Sequence, residues 1–309
     1  MAAISGTATI NLGGDSSAAG LYSLWKNTIC PGMGFSNSTE LLQDVTNTRL
    51  VYTKTNLTGT YSTTYWRFGF GTNTVTMNLY HAYNTSTDVG TGLISSLNNN
   101  TFTITAASYS YIIYYWKDDA ANPQWGMVNV RRSDALSMGS GSYNGGYGWC
   151  KITPFNIMDA NQQPTTLFIG SNASSSATRQ YWFNTTSTTF YGGTSTCGTT
   201  QSLGKTGLQT DFALGHMSAG LSVGQGTLQA GTFYQGGATQ AGTAPTIVTP
   251  VIVGSHGLAL GYINDLDIGI AVPLEYDKYR VEDRLVVTAG VEEWQPTGRY
   301  SNSLHIRVV

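Results

Sequence analysis

Tyr61-Ser-Thr-Thr-Tyr-Trp-Arg-Phe-Gly-Phe70 runs through Gly71-Thr-Asn73 into Thr74-Val-Thr-Met-Asn-Leu79. In the second half Val75, Met77 and Leu79 alternate with Thr74, Thr76 and Asn78, the period of two that a half-buried strand requires. The first half carries aromatic and β-branched side chains on both faces, and Gly71-Thr-Asn73 supplies turn residues between the two. The stretch therefore predicts a β-hairpin and points the whole chain towards an all-β class.

The same signal recurs outward from this hairpin. Phe102, Ile104 and Ala106 alternate with threonine or alanine neighbours, and 109–116 (Tyr-Ser-Tyr-Ile-Ile-Tyr-Tyr-Trp) is dense in strand-forming residues. Asp118-Asp-Ala-Ala-Asn-Pro123 reads as a turn, and Trp125 to Arg131 as the returning strand. Further strands are expected at 165–170, 179–184 and 187–191. Sustained apolar recurrence at three and four residues is missing, so the best helix candidate is short, Ser38 to Asn47, capped by Ser38 or Thr39.

Near residue 198 the composition changes. Phe212 to Asn264 contains no Asp, Glu, Lys or Arg, and Gly, Ala, Gln and Thr dominate. Pro245-Thr-Ile-Val-Thr-Pro250 reads as an edge strand or an arm. Charge returns in the last 46 residues, which hold 13 of the 32 charged side chains between apolar strands at 268–272, 285–287 and 304–309. The expected organisation is a β-rich domain over 1–200, a low-charge Gly/Thr/Gln-rich arm or linker over 201–264, and a small β domain over 265–309. In fold terms this is mostly antiparallel all-β, with a β-sandwich or jelly-roll-like main body.

Composition narrows the function. Charged residues are only 10% of the 309, against the roughly 25% usual for soluble domains, so the surface relies on hydroxyls and amides and offers little charge repulsion to packed neighbours. A net charge of −2, with no basic cluster longer than Arg131-Arg132, argues against a nucleic-acid partner. No run reaches the ~18 apolar residues of a membrane span. Cys30, Cys150 and Cys197 are far apart and form no Cys-x-x-Cys, so neither a zinc knuckle nor a disulfide scaffold is expected. The matches to Asn-x-Ser/Thr, from Asn37 to Asn184, are expected by chance in a chain this rich in Asn and Thr.

The sharpest catalytic pattern is Gly220-Leu-Ser222-Val-Gly224, followed by Asp265 or Asp267 and then His305, the chain order of a Ser-Asp-His hydrolase. Its context opposes that reading: a nucleophile elbow needs a buried strand before it and a long helix after it, and polar Gly-rich sequence lies on both sides. Gly198 to Thr206 resembles a phosphate loop but has five residues between its glycines where four are needed. Asp265 and Asp267 offer oxygen ligands without the remaining positions of a calcium loop. The histidines, His81, His216, His256 and His305, lack metal-binding spacing. No catalytic residue, cofactor or metal is expected. The aromatic residues, among them Trp66, Tyr115, Trp116, Trp125, Trp182 and Trp294, fit a sheet core, a subunit interface or, as the alternative, a platform that stacks on sugar rings.

Low charge, abundant Gly, Thr, Asn and Tyr, dense strands and an uncharged arm together resemble tailed-bacteriophage virion proteins. The stretch Asp283-Arg-Leu-Val-Val-Thr-Ala-Gly-Val-Glu-Glu-Trp-Gln-Pro-Thr-Gly298 is similar to small β-domains of phage head and tail accessory proteins. The resemblance implies a homo-oligomeric capsid decoration or cement protein, made in the host cytoplasm and residing in the virion. Its partners would be copies of itself and other virion proteins such as the major capsid protein. A tail, fibre or adhesin subunit binding host glycans is the alternative.

Overall fold

The computed structural model describes residues 3–11, 16–36, 40–44, 46, 48–54, 63–80, 82–91, 101–103, 110–133, 144–154, 164–171, 177–184, 191–196, 212–217, 228–230, 246–254, 259–272, 285–288, 290–296 and 305–309. The chain is mostly strand, and every described pairing is antiparallel.

A seven-stranded sheet forms the centre. Its order is β1 (Ile4–Ile10), β9 (Tyr111–Lys117), β10 (Trp125–Arg132), β11 (Asn144–Lys151), β13 (Pro164–Ser171), β14 (Ala177–Asn184) and β15 (Tyr191–Thr196). An N-terminal sheet runs β2 (Glu40–Asp44), β3 (Arg49–Lys54), β4 (Thr64–Gly71), β5 (Thr74–Tyr80), β8 (Thr101–Thr103), with a separate two-stranded hairpin of β6 (Ala82–Asn84) and β7 (Val89–Thr91). A third sheet joins β12 (Thr153–Pro154), β20 (Ala259–Tyr262), β19 (Pro250–Gly254), β16 (Phe212–Met217) and β17 (Leu228–Ala230). The C-terminal sheet is β18 (Thr246–Val248), β21 (Ile268–Val272), β24 (His305–Arg307), β23 (Glu292–Pro296) and β22 (Leu285–Thr288). The uncharged segment 212–264 thus contributes strands to two sheets, and Thr246–Val248 is an edge strand.

The hairpin that opened the sequence argument is β4–β5. Trp66, Phe68 and Phe70 point inward with Val75, Met77 and Leu79, and the residues between them are only partly covered. Asn73 closes the turn with a φ of 60°, a conformation that Asn tolerates better than most residues.

One local expectation is corrected. Glu40–Asp44 is a strand rather than part of a helix over 38–47, with Leu42 opposite Val51 and Asp44 opposite Arg49. Pairing with β3 satisfies its backbone, so the capping potential of Ser38 or Thr39 does not decide its conformation. The helical segment lies earlier: α1 (Ala18–Leu24), a wider π-helical turn over Trp25–Ile29, then α2 (Cys30–Gly32). The Ser17 side chain caps it by accepting from the Gly20 N–H at 3.1 Å. Leu21, Trp25 and Ile29, spaced by four, are buried.

Directly opposite residues of an antiparallel pair share a face, so the registers show how the central sheet is covered. Ile10, Tyr111, Ile113, Val128, Val130 and Trp149 face the helix and the N-terminal sheet, and pack in one core with Leu21, Trp25, Trp66 and Phe68. Tyr114 and Trp116 face the other way, stacked with centroids 6.1 Å apart and planes 14° apart. The Trp116 indole donates to Gln295 Oε1 of β23 at 3.0 Å, so the C-terminal sheet covers this second face. Double coverage explains why Trp125 to Val130 is buried without a break. Close approach also fixes Gly126, because the Met33 carbonyl oxygen lies 1.9 Å from where a Cβ would stand.

Cys30 and Cys150 are free and buried. Cys30 belongs to the core beneath the helix; Cys150, opposite Trp125, lies on the other face of the sheet.

Candidate functional site

A group of ionisable side chains forms where the β9–β10 turn meets the C-terminal sheet. Asp118 ends β9 and organises the turn: its Oδ1 accepts from the Ala120 N–H at 3.1 Å and its Oδ2 from the Gln124 N–H at 2.8 Å. Both oxygens of this buried carboxylate therefore staple the turn. That staple presents Trp125, whose indole N–H donates to Asp265 Oδ2 at 2.8 Å.

Asp265 opens the turn between β20 and β21. Its second oxygen, Oδ1, accepts from the Asp267 N–H at 2.8 Å, so both oxygens hold structure. Burial raises its pKa above the usual carboxylate value, while the bonds from Asp267 and Trp125 oppose the rise. Asp267 is only 8% exposed, and its Oδ1 receives no hydrogen bond from the described residues. Its pKa is pushed up to about 6, first by burial and next by the charge of Asp265. Its carbonyl accepts the Arg307 N–H at 2.9 Å, tying the turn to β24. His305 is fully buried two residues before Arg307, opposite Gly269 of β21.

The fold thus gathers Asp265, Asp267 and His305 at one corner of the C-terminal sheet. Ser222 lies outside the described residues. Asp265 is committed to an indole and a backbone amide rather than directed at a histidine. Among the described residues no group of three or more His, Cys, Asp or Glu side chains is arranged to hold a metal ion. No helix among them is long and apolar enough to cross a membrane. The chemistry open to this corner is proton uptake.

The aromatic candidates part company here. Trp66, Trp116, Trp125 and Trp294 are buried, at 1, 0, 1 and 4% exposure. Their indole N–H groups donate within the chain to Thr64 Oγ1, Gln295 Oε1, Asp265 Oδ2 and Glu292 Oε1 respectively. A ring so covered by its own chain offers no face to a sugar. Tyr115 is partly buried against the helix-side core, its ring lying against both Gly6 and Gly32. Trp182 is placed on β14 opposite Leu167 and Tyr191.

Two charged constellations escaped sequence reasoning. Lys54 is buried, with its ammonium 4.1 Å from the Trp149 ring centroid and donating to the Gly34 carbonyl at 2.7 Å. Asp88 gathers Arg49, Arg67 and the Tyr83 hydroxyl, with Arg67 Nη2 at 3.2 Å from Oδ2. Neither leaves a local sequence signature, because each forms across strands distant in the chain.

No family model matches this chain, and a search of curated proteins finds no matching protein.

Proposed function

We propose that this chain is a non-catalytic structural subunit of a bacteriophage particle, most simply a capsid decoration or cement protein that assembles with its own copies and with neighbouring capsid subunits. In this reading the stacked sheets form a β-sandwich-like body, and the low-charge segment 201–264 supplies contact surface. The observation that carries the reading is the rim of the central sheet. β1 is an outermost strand, Ile4-Ser-Gly-Thr-Ala-Thr-Ile10, with neither charge nor proline, and Ile4, Ser5, Thr7 and Thr9 are exposed. Monomeric sheet proteins usually blunt such a rim with lysines, prolines or bulges. An unblunted rim in a chain with only 10% charge suits strand addition by a neighbour.

Light scattering followed by negative-stain electron microscopy of the purified chain tests this. A closed, symmetric oligomer is expected, and its symmetry separates a head site from a tail or fibre site. The double substitution Thr7→Lys and Thr9→Lys places charge on the rim without touching the core, and should shift the oligomer towards monomer. A wild-type chain that stays monomeric and does not co-sediment with capsid shells of its parent particle would overturn the proposal.

A further inference from the structure

The corner built by the β9–β10 and β20–β21 turns has an unbalanced charge pattern. Asp265 and Asp267 share one short turn, and Asp119 adds a third negative charge beside both. Asp118, on the same turn as Asp119, adds its charge beside Asp265. Against these stands Arg307 of β24, with the buried His305 two residues along the same strand. The Arg307 guanidinium makes its hydrogen bonds elsewhere, to the carbonyls of Val309 at 2.9 Å and Val291 at 3.3 Å. Asp267 is thus more than nine-tenths buried, faces a neighbouring carboxylate, and has an oxygen that receives no hydrogen bond from the described residues. An ionised carboxylate in that position is destabilising, and protonation removes the penalty.

We propose that the Asp265–Asp267 turn is a proton-operated clasp, fastening the C-terminal sheet to the β9–β10 turn when Asp267 is protonated and loosening it when Asp267 ionises. The linkage has a definite sign. Folding raises the Asp267 pKa from 3.8 to about 6, so the folded chain binds more protons than the unfolded chain between those values. Its contribution is fully present below pH 4 and is lost as pH rises through 6. The mechanical parts are the Arg307 N–H bond to the Asp267 carbonyl and the Trp125 bond to Asp265, which join the two turns to β24.

The test follows amide exchange at Asp267, Ile268 and Arg307 in the full chain from pH 4.5 to 7.5, corrected for intrinsic exchange, beside Asp267→Asn. In the wild type, protection at these amides should fall by between about tenfold and a hundredfold across the window. In Asp267→Asn it should stay high and flat. A wild-type slope retained in the variant would assign the effect to His305 or another group and overturn the proposal. Should the variant fail to fold, the 13C shift of the Asp267 side-chain carboxyl in the wild type decides: a midpoint near 6 supports the clasp, and one near 4 overturns it.

Discussion

Lys54 sits in an aromatic interior, its ammonium above the Trp149 ring and 5.7 Å from the Phe35 centroid, and donates to the Gly34 carbonyl. The ring faces favour the cation, but burial outweighs them and, with a smaller effect from Lys117, brings the amine's pKa down from 10.5 to about 8. A lysine lowered in the fold means that the folded chain holds fewer protons than the unfolded chain between these values. Stability should therefore rise with pH from 8 to 10.5, by about 3 kcal/mol, with no further change from this group below 8. Urea midpoints across that range, compared with Lys54→Met, check this: the variant should lack the rise. Nothing near Thr53-Lys54 in the sequence announces a buried cation, because its aromatic neighbours come from positions 35 and 149.

At the scale of elements, legibility depended on whether a pattern was local. The β4–β5 hairpin was legible because alternation and turn chemistry agree over one short stretch. The helix was not read from the sequence: Leu21, Trp25 and Ile29 are spaced by four, but Gly20 and Pro31 weaken the helical pattern at both ends. Glu40–Asp44 was misread because its conformation is set by β3. The β6–β7 hairpin shows the same dependence on distant residues. It bears on β3 and β4 through one carboxylate, Asp88, between Arg49 and Arg67. Asp88 has a φ of 53°, which Asn also tolerates, so Asp88→Asn removes the charge and spares the backbone. We expect faster exchange or cleavage confined to 82–91 and a global loss of only about 1 kcal/mol. Limited proteolysis with mass spectrometry separates the two; uniform destabilisation would contradict the anchoring role.

For the whole molecule, stability rests on coverage of the central sheet from both sides. The density of strand-forming residues over 109–116 marked a strand, but not that both of its faces are covered. The sequence could not say by what, since Trp116 meets Gln295 across 179 residues of chain. The C-terminal sheet docks through β24, where Ile306 is fully buried beside Ile268. Ile306→Ala should cost about 2–4 kcal/mol as a cavity replaces three methyl or methylene groups, measurable as a lowered urea midpoint. An effect below about 1 kcal/mol would mean that the C-terminal layer closes over the gap and adds little to the core. The corner site was legible only as residues: Asp265, Asp267 and His305 stood out, but of their partners Asp118 was read only as part of a turn and Trp125 only as a strand aromatic.

The two buried thiols have a further consequence. Cys30 and Cys150 lie on opposite faces of the same sheet, and burial raises the pKa of both well above that of an exposed thiol. A thiol held in that form is inert to alkylating reagents until its layer lifts away. The chain therefore carries a built-in clock with two hands: modification at Cys30 marks the moment the helical layer peels, and modification at Cys150 the moment the C-terminal layer does, so the order of labelling reads out which half of the protein comes apart first.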